Sequence, residues 1–182
     1  MPISKGIPEA RELVVLLASA FRTFFEVDRN LLILGTRGVS EQTLTFRLGY
    51  YLQDLFPDFD VDCEYNRRVD RSKNDISLGI AWMKPDIIVH RRTLPVNLVA
   101  IEAKKEYRWD EEWENDHLKL HSLTRPDGDY CYKLGLAWRI AAEPNAGAHR
   151  AYWLSDGRVF AETSLENFEA EVIGRLAAAR AS

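Results

Sequence analysis

Cysteine is scarce in this chain: Cys63 and Cys131 are the only two among 182 residues, and they form no Cys-x-x-Cys pair. Neither a disulfide framework nor a zinc ribbon is therefore expected, and a reducing, cytoplasmic setting suits the pair. Positive charge is not in excess either. The 24 Lys and Arg against 28 Asp and Glu leave a formal net charge of −4, which argues against nonspecific coating of nucleic acid but leaves room for a localised groove. No apolar run approaches the ~20 residues that a membrane span requires, so no membrane partner is expected. The nearest candidate, "RELVVLLASAF", ends in a mimic of a signal-cleavage site, yet Glu9 and Glu12 stand where a leader is basic. It reads as an amphipathic helix. "LGTRG" lacks the Gly-Lys-Ser/Thr ending of a phosphate loop. No Ser-His-Asp elbow, repeat, low-complexity tract or linker is found.

What is present is ample packing material. Apolar residues make up 46% of the chain and charged residues 29%, with 8 Phe, 7 Tyr and 5 Trp. This composition suits one globular domain over residues 1–182. Leu13, Leu16, Leu17, Ala20, Phe21 and Phe24 recur at helical spacing within Pro8–Phe25. A second helix is expected from Ser40 as N-cap to just before Pro57. "VDCEY" alternates Val61, Cys63 and Tyr65 against Asp62 and Glu64, as a half-buried strand does. A polar loop follows over Asn66–Asp75. Two strands are expected at Asp86–His90 and Leu98–Lys104, then a helix over Asp110–Leu123 stopped by "RPDGD". "YCYKLGLAWRI" reads as a strand with Tyr132, Leu134, Leu136, Trp138 and Ile140 on one face. "AYWLSDGRVF" reads as a hairpin closed by Asp156-Gly157. A capping box of Thr163 with Glu166 is expected to open a last helix.

Two acids stand out because they occupy strands. Glu102 and Lys104 share a face with Leu98 and Ala100, and Asp86 shares one with Ile88 and His90. If the strands form an antiparallel hairpin with His90 opposite Leu98, Asp86 falls opposite Glu102. Like charges so placed destabilise a sheet, and burial among Ile, Val and Leu raises the cost. A divalent cation between them removes the conflict, and paired oxygen ligands suit Mg²⁺ or Mn²⁺. The plainer alternative is a solvent-facing acid at a strand start and an ordinary surface ion pair at Lys104. A third acid, Glu41, lies about two turns before Leu48 on the stripe that includes Leu52 and Leu55. It either faces the sheet or simply complements the helix dipole.

The order Glu41 on a helix, Pro85-Asp86, then Glu102-Ala103-Lys104 resembles the PD-(D/E)XK nuclease superfamily. The helix "NDHLKLHSLT" and the strand "YCYKLGLAWRI" after the third strand add to the likeness. It covers about residues 40–141, with an N-terminal helical extension and a C-terminal hairpin-helix extension. The resemblance implies an α/β, restriction-endonuclease-like three-layer core, a central mixed sheet flanked by helices. It also implies that Asp86, Glu102 and the backbone carbonyl of Ala103 ligate Mg²⁺, for which Mn²⁺ substitutes. Lys104 is implied to activate the attacking water and stabilise the phosphate, and Glu41 to complete the acidic site, as a ligand or behind one. The implied reaction is phosphodiester hydrolysis, with DNA expected over RNA. A homodimer or a protein partner for targeting is a further expectation. The alternative is a catalytically silent nuclease-fold protein that binds nucleic acid or a protein.

Weaker signals surround this centre. Arg67, Arg68, Arg71 and Lys73 cluster on the loop before Asp86 and form a candidate phosphate track; solvated loop residues are the plainer reading. Lys119, one turn from Asp116, either pairs with that acid or faces substrate. His117 and His121 share a helix face, but without a Glu after His117 the zinc-protease pattern is missing, and packing against neighbours is expected.

Overall fold

Pro8 and Glu9 start the first helix, where the Glu9 backbone N–H donates to Glu12 Oε2 at 2.8 Å. The computed structural model of the protein describes residues 6–34, 39–65, 67–68, 71–72, 83–105, 111–141, 149–165 and 168–181. Helix α1 spans Ala10–Val27, and its Leu13, Leu17, Ala20, Phe21 and Phe24 are fully buried. Each such Leu or Phe contributes on the order of 1.5–3 kcal/mol. Phe21 and Phe24 meet Trp138 edge-on, with ring centroids 5.3 and 5.5 Å apart, the geometry that the ring quadrupole favours. A short α2, Arg29–Leu34, leads to α3, Glu41–Leu55. Ser40 caps α3 as its sequence demands, with Oγ accepting from the Thr43 N–H at 3.1 Å.

The strands follow as β1 Asp60–Cys63, β2 Arg67–Arg68, β3 Arg71–Ser72, β4 Ile87–Arg91 and β5 Val96–Lys105. Helix α4, Glu111–Thr124, then crosses to β6, Leu134–Ile140. The chain ends in β7 Arg150–Ser155, β8 Arg158–Ser164 and α5 Glu169–Ala181. Six strands form one mixed sheet in the order β1-β4-β5-β6-β7-β8, and β2 and β3 pair apart from it. Among the described strands only β5 and β6 run parallel, because α4 carries the chain back between them.

Helices cover both faces. On one, α1, α3 and α5 pack over Ile87, Val89, Val99, Ile101, Leu134, Leu136 and Trp138. On the other, α4 brings Leu120 and Leu123 onto Ile88, Ala100, Ala137 and Leu154. The architecture is thus α/β, a six-stranded mixed sheet flanked by helices.

Several expectations need correction, the first being the loop over residues 66–75, within which Arg67–Arg68 and Arg71–Ser72 pair as β2 and β3. Leu98 does not share the face of Ala100 and Glu102. A bulge between Val89 and His90 pairs His90 with Asn97 and leaves Leu98 as the extra residue, which turns into the α1–α3 core. Tyr132 does not share the face of Leu134 and Trp138: β6 starts only at Leu134, and Cys131 with φ 50° breaks the alternation before it. Tyr132 joins the α4-side core instead. In β1 Cys63 is exposed, while Asp62 is drawn inward by His90 Nε2 at 2.8 Å and by a forked Arg92. Thr163 opens no helix. It lies in β8, where Oγ1 accepts from the buried Trp153 indole N–H at 2.9 Å, and α5 begins at Glu169; Glu166 lies outside the described residues. The hairpin closes as expected: Asp156 (φ 51°) and Gly157 (φ 71°) are both left-handed, the requirement of a type I′ turn.

Candidate metal centre

The last residues of β5 bring the site together. Pairing Ile87 with Ile101 in the β4–β5 ladder sets Asp86 one step on, across from Glu102. Asp86 is tied at that place twice. Its Oδ2 accepts from the Ala103 N–H at 2.7 Å, and its carbonyl oxygen accepts from the Glu64 N–H at 3.0 Å. The position reached by counting residues is therefore the position observed, although the far end of the hairpin is shifted by its bulge.

Glu41 arrives from the first turn of α3. Its Oε1 accepts from the Lys105 N–H at 2.8 Å, and its Oε2 lies 4.0 Å from Lys104 Nζ. The Leu48 and Leu52 stripe is fully buried, so anchoring that face aims the N-terminal carboxylate at the end of β5. Lys105 turns elsewhere, donating through Nζ to the Val39 carbonyl. Lys104 remains half-buried beside Glu41.

Glu102 is buried, with Oε2 accepting from Lys119 Nζ at 3.3 Å. Lys119 Nζ also sits 2.7 Å from Asp116 Oδ1. Glu102 Oε1 is buried with no hydrogen-bond partner. An unmade bond of this kind costs about 1–3 kcal/mol. Burial first, and then the Asp86 charge, push the Glu102 carboxyl well above the usual range; Asp116 adds to the rise and Lys119 opposes it. Asp86 is pushed up to about 6, mainly by burial, against the pull of the Ala103 N–H. Burial lowers the Lys119 ammonium, but the charges of Glu102 and Asp116 outweigh it and the pKa rises.

All four sequence-derived catalytic candidates, Glu41, Asp86, Glu102 and Lys104, thus meet at one end of β5. Lys119 reaches the centre as a partner of carboxylates. Asp116 belongs to the same cluster and was not among the candidates. Its pairing with Lys119 was visible as an i, i+3 spacing, but no local pattern reveals that α4 lies across the end of β5. Arg67, Arg68 and Arg71 fall on the short β2 and β3 backbones, and their side chains, with Lys73, lie outside the described residues. His117 stacks edge-on to Tyr152 at 5.3 Å, and His121 Nδ1 donates to the Gly157 carbonyl at 2.5 Å, so this helix face is used in packing.

Among the described residues, no group of three or more His, Cys, Asp and Glu side chains gathers closely enough to cage an ion. The donor set is instead two facing carboxylates, one with an orphaned oxygen. Mg²⁺ accepts such a set, because it keeps several waters and takes one or two carboxylates plus substrate phosphate. No helix among the described residues is long and apolar enough to cross a membrane. No protein-family model, curated protein or solved structure matches the chain.

Proposed function

We propose that this chain is a metal-dependent nuclease of the restriction-endonuclease-like type, hydrolysing phosphodiester bonds of DNA in preference to RNA. The observation that carries this reading is Glu102, a buried carboxylate with an unpartnered oxygen, set across a strand pair from Asp86 and two residues before Lys104. A fold that gains nothing from these acids would replace them with apolar residues at lower cost. A cation here would draw on Asp86, Glu102 and the Ala103 carbonyl, with Glu41 beside them, and would supply positive charge against the phosphate.

The chain's own residues then have distinct tasks. Lys104, a compact ammonium on a flexible stem, orients the attacking water and stabilises charge building on the phosphoryl oxygens. Glu41 positions Lys104 and, through the Lys105 N–H, pins the strand end. Asp86 holds the β4–β5 register at the reacting centre through Ala103. Water adds at phosphorus, the bridging P–O bond breaks, and the leaving oxygen takes a proton.

Cleavage of mixed DNA and RNA substrates with Mg²⁺ or Mn²⁺, for wild type, Glu102→Ala and Lys104→Ala, tests the assignment. Activity in the wild type and its loss in both folded variants, by about 100-fold or more, is the expected result. Equal cleavage by all three would remove these residues from catalysis.

One observation favours a second reading. Lys119 already supplies a cation to Glu102 and Asp116, as it would in a silent nuclease-fold protein that binds nucleic acid or a protein without cutting. Tight DNA binding with no metal-dependent cleavage would select that reading.

A further inference from the structure

Lys119 is placed unlike a residue with one task. Its Nζ lies 2.7 Å from Asp116 Oδ1 but 3.3 Å from Glu102 Oε2. The nearer bond is made within α4, one turn apart; the longer one crosses to β5. The ammonium can leave Glu102 and still keep a counter-charge. No backbone shift is needed, because Leu120 and Leu123, both fully buried, anchor α4 independently. The Lys119 side chain is 23% exposed, against 3% for Glu102, so it has room to swing outward on a stem with four rotatable carbons.

Charge makes the same point. Asp86, Glu102 and Asp116 act on one another electrostatically, and Lys119 acts on Asp86 and Glu102. Lys104 and Glu41 balance each other nearby. When ionised, three carboxylates against one ammonium leave two negative charges, the complement of one divalent cation. A cation arriving at Asp86 and Glu102 meets Lys119 already bonded to the second of them, and two positive charges at that distance repel.

We infer that Lys119 is an internal rival of the divalent cation for Glu102, neutralising Glu102 and Asp116 in the metal-free protein and retreating to Asp116 when the cation binds. This rests on the metal reading above and adds to it a residue that sets cation affinity from outside the ligand set. Lys119 and Asp116 then act with opposite signs. Removing the ammonium frees Glu102 for the cation. Removing the Asp116 charge takes away the refuge and settles the ammonium on Glu102.

Titration calorimetry with Mn²⁺, on the full chain without nucleic acid, provides the test. Lys119→Met is expected to bind Mn²⁺ about tenfold more tightly than wild type, and Asp116→Asn about tenfold more weakly. In thermal melts with EDTA, Lys119→Met should unfold at lower temperature than wild type, and Mn²⁺ should raise its midpoint by more. Circular dichroism checks the fold, and Lys119→Gln serves in place of Lys119→Met if the latter does not fold. Unchanged or weaker Mn²⁺ binding by a folded Lys119 variant overturns the inference, because a purely supporting lysine gives that result. Glu102→Gln separates the two levels of the argument. If wild type binds Mn²⁺ and Glu102→Gln does not, the metal centre stands and only the role of Lys119 is in question. If neither binds, the metal reading itself fails.

Discussion

Asp86→Asn isolates the cost of burying the Asp86 charge. Asn keeps an oxygen to accept from the Ala103 N–H, so the 2.7 Å bond survives while the charge is lost. Asp86 is raised from 3.8 to about 6, so the folded protein holds the proton more tightly than the unfolded chain. Stability from this group is fully present below about pH 4 and is lost as pH rises through 6. The rise from 3.8 to about 6 corresponds to about 3 kcal/mol by pH 7.5, at about 1.4 kcal/mol per tenfold in the protonation equilibrium. Asn does not ionise. The stability of Asp86→Asn relative to wild type should therefore increase by about 2.5 kcal/mol between pH 4 and pH 7.5, since the unfolded group is already partly ionised at pH 4. At ~2–4 °C per kcal/mol for a chain of this size, the midpoint difference grows by about 5–10 °C. Urea unfolding in EDTA at the two pH values measures it. The comparison must be between proteins, because Asp62 and Glu64 are lowered by their cationic partners and lose stability as pH falls, the opposite direction. A stability difference equal at both pH values would refute the reasoning, since the Asp86 charge would then carry no burial cost.

Two further substitutions test the frame that holds the site. Thr163→Val keeps the shape of the side chain but strands the buried Trp153 indole N–H, and should cost about 1–3 kcal/mol in chemical denaturation followed by tryptophan fluorescence. Gly157→Ala forces a side chain to φ 71° and sets its Cβ 3.0 Å from Arg125 Cβ. It should destabilise by about 1–2 kcal/mol, read as a lowered unfolding midpoint.

Where the sequence carried a local signal, it was readable. The Leu13 to Phe24 stripe, the Ser40 cap and the Asp156-Gly157 turn each rest on residues within one turn of each other, and each lies where expected. Asp86 does face Glu102, but the His90–Leu98 register from which that was counted does not hold: His90 pairs with Asn97, and the count survives only on the Ile87 side of the bulge. Several of the failures depended on a partner remote in sequence. Thr163 followed by Glu166 matches a capping box, but the Trp153 indole across the β7–β8 ladder claims the hydroxyl. Asp62 alternates as a solvent-facing acid, but His90 and Arg92, about thirty residues on, turn it inward. Asp116 and Lys119 looked like a helix-surface pair until the packing of α4 over β5 gave Lys119 a second carboxylate.

The bulge at Val89–His90 has a mechanical consequence. A strand that slips by one residue turns every side chain to the other face, and in β5 such a slip would take Glu102 away from Asp86. Between that pair and the exposed turn at residues 92–95, the bulge has already absorbed one residue of mismatch. On its other side β5 is held to β6 from Val99 to Lys105 without interruption. The hairpin thus works as a clutch, in which changes in length at the tip are taken up before they reach the acids. Residues 92–95 are accordingly the place to insert a spectroscopic tag or an affinity handle while leaving the reacting end of the sheet in register.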